Sequence, residues 1–381
     1  MTSNFCRLFL ILWQVSFPQS ILKKILYHLM ENTEQKQAEN INWDEAFHLY
    51  ASVIAHENDA LRVKVTFKLA RMCNHVPENI LSRTVPILVE LLESPSRNPS
   101  PPVQEASAYC LKCIACIGEG QLAILIGQSG AIPILLRLLQ NSDGSFQKGL
   151  LKCLRNAVTF GEPNRLIVAS NGGTEIVLKM LDSCSDDSML ILLEILSALA
   201  LKREVRKLIL NSGGVWFLVE SARLGSLISR SRAAQAIGLL GLIKRARREL
   251  VNAGAIPVLM ELINDGDMSM KLVAGNALGV ILTDADNIWP IAESGVVPLY
   301  TELLGSSDPI GREIAGDVLY TLATVGENAF AIVKHLSGIF TGDNDEAKSV
   351  AVDILRHLLN CHKHFLPFLS RSPFWQALVI R

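Results

Sequence analysis

Apolar residues along most of the chain recur at the spacing of helices rather than of strands. Leu151, Leu154 and Val158, for example, fall at i, i+3 and i+7, so they share one face of a helix. Short turns of Asn, Ser, Asp and Gly interrupt these stretches, as in residues 141–144 and 305–308. The pattern predicts an all-helical protein built from many short helices.

The turns and helices repeat along the chain. Five segments align on a small or polar residue followed by glycine, and these leading glycines recur at a nearly constant interval. A period of about 40 residues is typical of a repeat protein, in which a single repeat cannot bury its own apolar faces and neighbouring repeats stack into one core. The leading glycines are Gly130, Gly172, Gly213, Gly254 and Gly295.

The sequence of each repeat predicts one short helix followed by two longer ones. The glycine ends the short helix, because glycine accepts the left-handed backbone that a helix C-terminus needs. Shortly after it, Pro133, Pro257 or Pro298 begins the next helix at a position where its missing N–H costs nothing. A polar turn and a third, apolar-striped helix follow. Upstream, Pro86 occupies the same slot in a segment that lacks the glycine.

These features resemble the armadillo repeat family. The resemblance is carried by Gly130-Ala131-Ile132-Pro133 with its leucines, by the turn, and by the third-helix pattern that ends in Cys153–Val158. It implies an all-α, right-handed α-solenoid of about eight repeats over residues 41–363, and HEAT repeats are the nearest alternative. The approximate repeats are 41–76, 77–118, 119–160, 161–202, 203–242, 243–283, 284–325 and 326–363, between a leader at 1–40 and a capping segment at 364–381.

In armadillo proteins the third helices line a groove that holds an extended peptide, so the resemblance implies a groove here. When the repeats are aligned on their glycines, one position of each third helix is polar or amphipathic throughout the array. Asn156 lies one helical turn after one of these residues. Two interpretations stay open, a ladder that contacts a ligand and a row that only marks the solvent side. The candidate residues are Tyr109, Lys152, Asn156, Glu194, Gln235, Asn276, Asp317 and Asp353.

The groove departs from two known types of armadillo binding surface. Import adaptors of the family pair Trp with Asn one turn later on several third helices, whereas this chain has no Trp at those positions and Asn in the second slot once. A uniformly basic groove, which would bind acidic tails, is missing as well. The sequence therefore favours a protein or peptide partner of another kind.

Net charge is −1, yet the charges are unevenly distributed. Residues 202–249 carry eleven Lys/Arg against three Glu, and residues 250–320 carry ten acidic residues against two basic ones. Basic residues recur once per repeat on the short first helices. They predict either a solvated edge or a basic edge patch for an acidic or phosphorylated partner, and no nucleic acid is expected. The patch residues are Arg165, Arg206, Lys207, Arg247 and Arg248.

No motif for catalysis or cofactor binding is present, so we predict a scaffold or adaptor that is not an enzyme and has no cofactor. Cys110, Cys113 and Cys116 lie on one stripe of a predicted helix without a second ligand pair, and we predict no metal site. A regulatory or substrate-recognition part of a ubiquitin-ligase system, similar to plant-type U-box arrays but without a U-box, is the alternative function.

Residues 8–17 form an apolar run that is too short to span a bilayer. A leader, a signal peptide and a membrane tether are the open interpretations, and Met30 is a second candidate start. A membrane-tethered scaffold is therefore a further alternative, with membrane contact and oligomeric state left open. Eight cysteines inside a largely apolar chain favour a reducing compartment, which predicts a cytoplasmic or nuclear location.

Overall fold

The computed structural model describes residues 42–55, 58–93, 100–183, 186–283 and 295–365. Over these residues the chain forms twenty α-helices and no strand, which confirms the all-helical prediction. The helices fall into two units that divide between Gly214 and Val215. We call them the N-terminal unit and the C-terminal unit.

The N-terminal unit contains the first eleven of these helices. They are α1 (Trp43–Ala55), α2 (Asp59–Met72), α3 (Glu78–Glu93), α4 (Pro101–Ile114), α5 (Gln121–Gln128), α6 (Ala131–Gln140), α7 (Gly144–Phe160), α8 (Asn164–Ser170), α9 (Gly173–Ser183), α10 (Asp186–Leu199) and α11 (Arg203–Asn211).

The C-terminal unit contains the other nine. They are α12 (Val215–Leu224), α13 (Leu227–Gly241), α14 (Lys244–Asn252), α15 (Ala255–Asp265), α16 (Met268–Leu282), α17 (Val296–Gly305), α18 (Pro309–Leu322), α19 (Ala329–Thr341) and α20 (Asp345–Cys361).

Within each unit the helices pack in two rows. The third helices of successive repeats pack on one another and form the third-helix row, which is α2, α4, α7 and α10 in the N-terminal unit and α13, α16, α18 and α20 in the C-terminal unit. The second helices form the other row. Leucines such as Leu135, Leu150 and Leu154 are fully buried between the rows. Each unit thus has a core shared by several repeats, as the sequence period predicts.

All five leading glycines adopt left-handed backbone, with φ between 71° at Gly172 and Gly213 and 89° at Gly295. No atom of the described residues lies within 4 Å of the place where a Cβ would stand at Gly130, Gly172, Gly213 or Gly295, so there is space for a side chain. The requirement for glycine is therefore conformational, because left-handed backbone is costly for residues with a Cβ.

Two repeats, 77–118 and 326–363, join their first and second helices without a break. Helix α3 runs from Glu78 to Glu93 through Pro86, which corrects the prediction that Pro86 begins a new helix. A left-handed glycine is missing there, and the helix simply continues across the proline. Helix α19 likewise covers Ala329–Thr341 as one element. The last repeat is thus atypical, as expected for the end of an array.

Short polar residues begin several third helices. Asp267, Asp308 and Asn344 each accept a hydrogen bond from a backbone N–H in the first turn, at 2.8, 2.8 and 3.0 Å. This satisfies one of the donors that a helix N-terminus leaves open. Asp267 is thus the N-cap of α16.

Several sequence predictions concern residues outside the described ranges, including the leader at 1–40, the apolar run at 8–17 and most of the segment 364–381. The boundaries assigned to the eight repeats stay predictions. Among the described residues, no one helix has both the length and the apolar character to cross a membrane, although Pro101–Ile114 and Gly118–Gln128 pass together as a pair bent by 93°.

Substitution of a leading glycine tests whether glycine is required for its backbone conformation or for lack of space for a side chain. Gly130→Ala should lower the free energy of unfolding by about 1–2 kcal/mol, because it places a Cβ on left-handed backbone. Gly149→Ala is the matched control, since it also meets open space but lies within helix α7. It should leave stability unchanged or raise it by up to about 1 kcal/mol. Urea unfolding measures both, and equal effects would contradict the conformational explanation.

Candidate functional site

In the N-terminal unit, four of the predicted ladder residues lie on three successive third helices. Tyr109 on α4 is 40% exposed, and Lys152 on α7 and Glu194 on α10 are partly exposed. Asn156 on α7 is only 6% exposed. The third-helix row therefore presents polar and aromatic side chains to solvent at three of the four positions.

Asn156 is the centre of a polar network that joins these helices. Its Nδ2 donates to the carbonyl oxygen of Lys112 at 2.9 Å and to Sγ of Cys116 at 3.1 Å. Its Oδ1 accepts from Nε and Nη2 of Arg155 at 3.1 and 3.0 Å. Since both ends of the amide are already bonded within the chain, Asn156 has a structural role here, which corrects the expectation that its amide is available to a ligand.

The network continues to the next repeat through an ion pair. Arg155 Nη1 lies 3.2 Å from Oε2 of Glu194, and the two side chains are 31% and 21% exposed. The partial burial reduces solvent screening, so this pair is better placed to order its surroundings than a fully exposed one. The sequence prediction included Glu194 but missed Arg155. The sequence does contain a signal for this ion pair, because Arg155 and Glu194 have opposite charges and are separated by nearly one repeat.

Tyr109 belongs to a small aromatic and cationic cluster. Its ring lies 5.4 Å from that of Phe67, and the Nζ of Lys112 lies 4.1 Å from the Tyr109 ring centroid. A cation at this distance is attracted to the face of the ring. The cluster holds Tyr109 in place while leaving much of it exposed, as suits a side chain that contacts a partner.

In the C-terminal unit, three of the candidate groove residues are accessible to solvent. Gln235 on α13 and Asp317 on α18 are partly exposed, and Asp353 on α20 is exposed and lies 3.5 Å from Arg356. Burial, followed by the nearby Glu313, raises the pKa of Asp317 above its ordinary value. These three side chains are accessible to a ligand.

Asn276 on α16 is the exception in this row. It is fully buried, and neither its Nδ2 nor its Oδ1 has a hydrogen-bond partner among the described residues. Small residues on α13 and α16 bring those helices close together, so position 276 is covered. The expectation that Asn276 faces solvent is thus wrong, and a buried amide without partners is costly.

At the end of the C-terminal row, Tyr320 and His357 stack with ring centroids 3.9 Å apart and an interplanar angle of 17°. The Sγ of Cys361 lies 3.6 Å from Nε2 of the same histidine. Burial, followed by the charge of His362, lowers the pKa of His357. Sequence reasoning missed this aromatic pair, because Tyr320 and His357 do not occupy the same repeat position.

Two residues of the predicted basic edge patch form hydrogen bonds to the backbone of the N-terminal unit. Arg165 is 8% exposed, and its Nε donates to the carbonyl oxygen of Val158 at 3.0 Å. Arg206 Nη1 donates to the carbonyl oxygens of Ala200 and Leu201 at 3.0 and 2.8 Å. Burial lowers the pKa of both guanidinium groups. These arginines bond backbone carbonyls at and beyond the ends of third helices, which corrects their assignment to a free surface.

The remaining patch residues differ from one another. Arg247 Nη1 donates to Oγ1 of Thr283 at 2.6 Å, whereas Lys207 and Arg248 are exposed. Of the five predicted positions, Lys207 in the N-terminal unit and Arg248 in the C-terminal unit therefore present the most accessible cations. The arginines that recur once per repeat, Arg165, Arg206 and Arg247, thus bond to other residues of the chain and do not form a common binding surface.

Within the described ranges no cluster of three or more His, Cys, Asp or Glu side chains has an arrangement that could hold a metal ion. The geometry on the third-helix rows consists of polar, aromatic and charged groups spaced one repeat apart. Such groups can form hydrogen bonds, ion pairs and stacking contacts with an elongated partner.

Comparison with solved structures identifies the fold. An engineered protein solved by the Northeast Structural Genomics Consortium superposes with a TM-score of 0.67 over 99% of this chain and 96% of its own, at 21% identity. A designed armadillo repeat protein matches with a TM-score of 0.50 over 62% of this chain and 99% of its own, at 20% identity.

The chain has an armadillo-like repeat fold. A second designed armadillo repeat protein, made for modular peptide recognition, also has a TM-score of 0.50 and covers 62% of this chain and 99% of its own, at 19% identity. No protein-family model matches the sequence, and no curated protein matches it. At these identities the comparisons establish the armadillo-like fold, while the roles of the site residues stay predictions.

Two asparagines on third helices provide a matched test of this geometry. Asn156→Leu should lower the free energy of unfolding by about 1–3 kcal/mol, because it leaves buried polar groups without partners. Asn276→Leu should raise it by about 1 kcal/mol or leave it unchanged, because the amide it replaces is buried and makes no hydrogen bond. Urea unfolding of both variants is the measurement. The same sign for both would contradict the assignment of the network to Asn156.

Proposed function

We propose that this protein is a binding scaffold that holds an extended segment of a partner protein along its third-helix rows. The observation that carries the proposal is the set of partly or fully exposed polar and aromatic side chains on the third helices of both units. In the N-terminal unit these are Tyr109, Lys152 and Glu194, and in the C-terminal unit Gln235, Asp317 and Asp353.

Pre-organisation supports this function. Contacts with Phe67 and Lys112 hold Tyr109, and Arg155 holds Glu194 before any partner arrives. Side chains that are already ordered lose little conformational entropy on binding, so more of the contact energy appears as affinity. Helices also position such side chains more accurately than loops do.

An extended partner fits the spacing of the row better than a globular one. Adjacent third helices pack at roughly 10 Å, which is about three residues of extended chain. Gln235 can donate to and accept from the backbone of such a chain at once. The designed armadillo protein for modular peptide recognition is a structural neighbour with the same kind of use.

The partner's charge follows from the accessible cations. Because Arg165 and Arg206 bond the chain's own carbonyls, an acidic or phosphorylated partner would depend on Lys207 and Arg248. These are exposed side chains, so their contribution should decrease with salt. We propose them as residues that speed encounter and orient the partner rather than as the main source of affinity.

The proposed activity is binding and not catalysis. A regulatory part of a ubiquitin-ligase system and a membrane-tethered scaffold remain alternatives that no described feature favours. The second depends on residues 5–29, which lie outside the described ranges. A cytoplasmic or nuclear location also stays a prediction.

Substitution of Tyr109 tests the binding surface. Peptides are selected from a displayed library on the full chain, and the affinity of the selected peptide is measured by fluorescence anisotropy. Tyr109→Ala should weaken binding about tenfold or more, the equivalent of about 1.4 kcal/mol. Trp216→Ala is the control, because Trp216 is an aromatic residue with a similar exposed fraction, 47%, on the second helix α12. Equal losses would contradict a site on the third helices.

Charge reversal tests the proposed acidic partner. The double variant Lys207→Glu with Arg248→Glu should weaken binding of a glutamate-rich peptide severalfold at low salt and less at high salt. The double variant Lys179→Glu with Lys334→Glu changes the net charge equally from exposed positions on the second-helix row and serves as control. If both double variants lose the same affinity, net charge alone explains the binding.

A further inference from the structure

An apolar groove lies between the first three helices of the N-terminal unit, and we call it the α1–α3 groove. Residues of α1 and α2 provide its walls, and the buried side chains of Val76, Ile80 and Thr84 provide its floor. It has a volume of about 340 Å³, which is enough for several branched apolar side chains. Among the described residues that line it, Lys68 is the one that carries a charge. The α1–α3 groove therefore favours an apolar occupant.

Helix α2 has a second apolar face, which forms part of the α1–α3 groove. Its buried residues Thr66 and Ala70 lie on one side of the helix. Val65, Leu69 and Met72 recur at i, i+4 and i+7, so they share another side, and all three are only partly buried. Among the described helices, α4 packs on the third helices α2 and α7, whereas α2 packs on α4. The α1–α3 groove thus lies at the end of the described row, where the apolar surface of a repeat array needs a cover.

Large apolar side chains at the rim of the α1–α3 groove are accessible to solvent. Leu49 on α1 lines the groove and is 62% exposed, and Leu61 on α2 is 46% exposed. Trp43 and Phe47 are half-buried, and the Arg83 guanidinium lies 4.0 Å from the centroid of the Phe47 ring. Exposed apolar side chains beside an apolar groove mark an interaction site. A groove between helices suits the apolar stripe of one further helix.

The sequence contains a segment with a matching stripe. Residues 21–30, which lie outside the described ranges, read ILKKILYHLM. Apolar residues in this segment fall at i, i+1, i+4, i+5 and i+8, which is one side of a helix, and the lysines fall on the other side. The stripe consists of Ile21, Leu22, Ile25, Leu26 and Leu29, and the polar side includes Lys23, Lys24 and His28.

A short polar tether connects this segment to the α1–α3 groove. The tether is residues 31–41, and Trp43, at the start of α1, already lines the groove. Eleven residues of extended chain reach about 35–40 Å, whereas α1 with its 13 residues is about 20 Å long. The segment can therefore reach every part of the groove. The covalent connection also gives it an effective concentration on the order of millimolar, which favours it over a separate partner.

We propose that residues 21–30 form an amphipathic helix that docks in the α1–α3 groove and covers the apolar end of the described row. The apolar stripe enters the groove, while Lys23 and Lys24 stay in solvent. The run at residues 8–17 fits less well, because its first six residues are all apolar and a helix there has no polar side for solvent. The inference is independent of the proposed binding function, since no residue proposed to contact a partner lines this groove.

Photo-cross-linking in the full chain tests where the segment lies. The variant Ile25→p-benzoylphenylalanine is mixed with an equal amount of unmodified chain labelled with heavy nitrogen and then irradiated. The cross-link should join position 25 to residues 43–84 of the same, unlabelled chain, because that stretch contains the residues that line the groove. The same probe in place of Lys24, on the polar side, is the control and should give a much lower yield.

Two results of this experiment would overturn the proposal. Capture of the heavy chain would show that the segment docks on a second copy. Equal yields from the probes at positions 24 and 25, or cross-links outside residues 43–84, would show that the apolar stripe does not face the α1–α3 groove.

Hydrogen exchange in the full chain tests whether the apolar stripe holds the segment. Amides of residues 21–30 should exchange about tenfold or more slowly than those of the same peptide alone, because a docked helix is protected. The double variant Ile25→Glu with Leu26→Glu should remove this protection and speed exchange in α1. The double variant Lys23→Gln with Lys24→Gln is the control on the polar side and should leave both unchanged. Exchange at the rate of the free peptide in the unmodified chain would contradict docking.

Leu69→Gln tests the same contact from the groove. It should reduce the protection of residues 21–30 about fivefold or more, because it places an amide among apolar side chains. Lys64→Gln is the matched control, since Lys64 is exposed on the same helix and does not line the groove. Leu49→Gln, at an exposed position of α1, is a second groove variant that leaves the core intact and should act in the same direction. If protection survives in both groove variants, the segment docks elsewhere and the proposal is wrong.

Discussion

The structure depends on the mutual burial of third helices. A repeat of about 40 residues has more apolar surface than it can cover alone, so within each unit neighbouring third helices bury one another. Fully buried residues such as Leu154 and Leu278 show the result in the two units. In the five repeats that contain it, the left-handed glycine joint turns the chain between the first and second helices at the same point. Everything on the exposed face of the row takes its position from that packing.

The polar residues on the rows show how similar sequence positions can have different roles. Asn156 bonds two neighbouring segments and stabilises them, while Asn276 is covered and bonds nothing among the described residues. Tyr109 and Glu194 are held by neighbours and remain exposed. A row of polar side chains therefore includes both internal connectors and residues that can contact a partner, and only their surroundings distinguish them.

Much of the fold could be predicted from the sequence, because helix spacing and glycine period are local properties. All five leading glycines were expected to have left-handed backbone and do. Pro86 does not begin a new helix, because the helix continues across the proline where the left-handed glycine is missing. The site was harder to predict. Whether Arg165 reaches solvent or bonds the Val158 carbonyl depends on contacts between repeats, which no single sequence segment contains.

The difference between the inner and outer repeats has a consequence for how the chain can change in length. Inner repeats share one glycine-centred joint and a nearly constant spacing, whereas α3 and α19 run through without it. Duplication or loss of a complete inner repeat would recreate the same kinds of neighbours on either side. A chain of this design could therefore become longer or shorter by whole inner repeats without a change in the kinds of contact at its two ends.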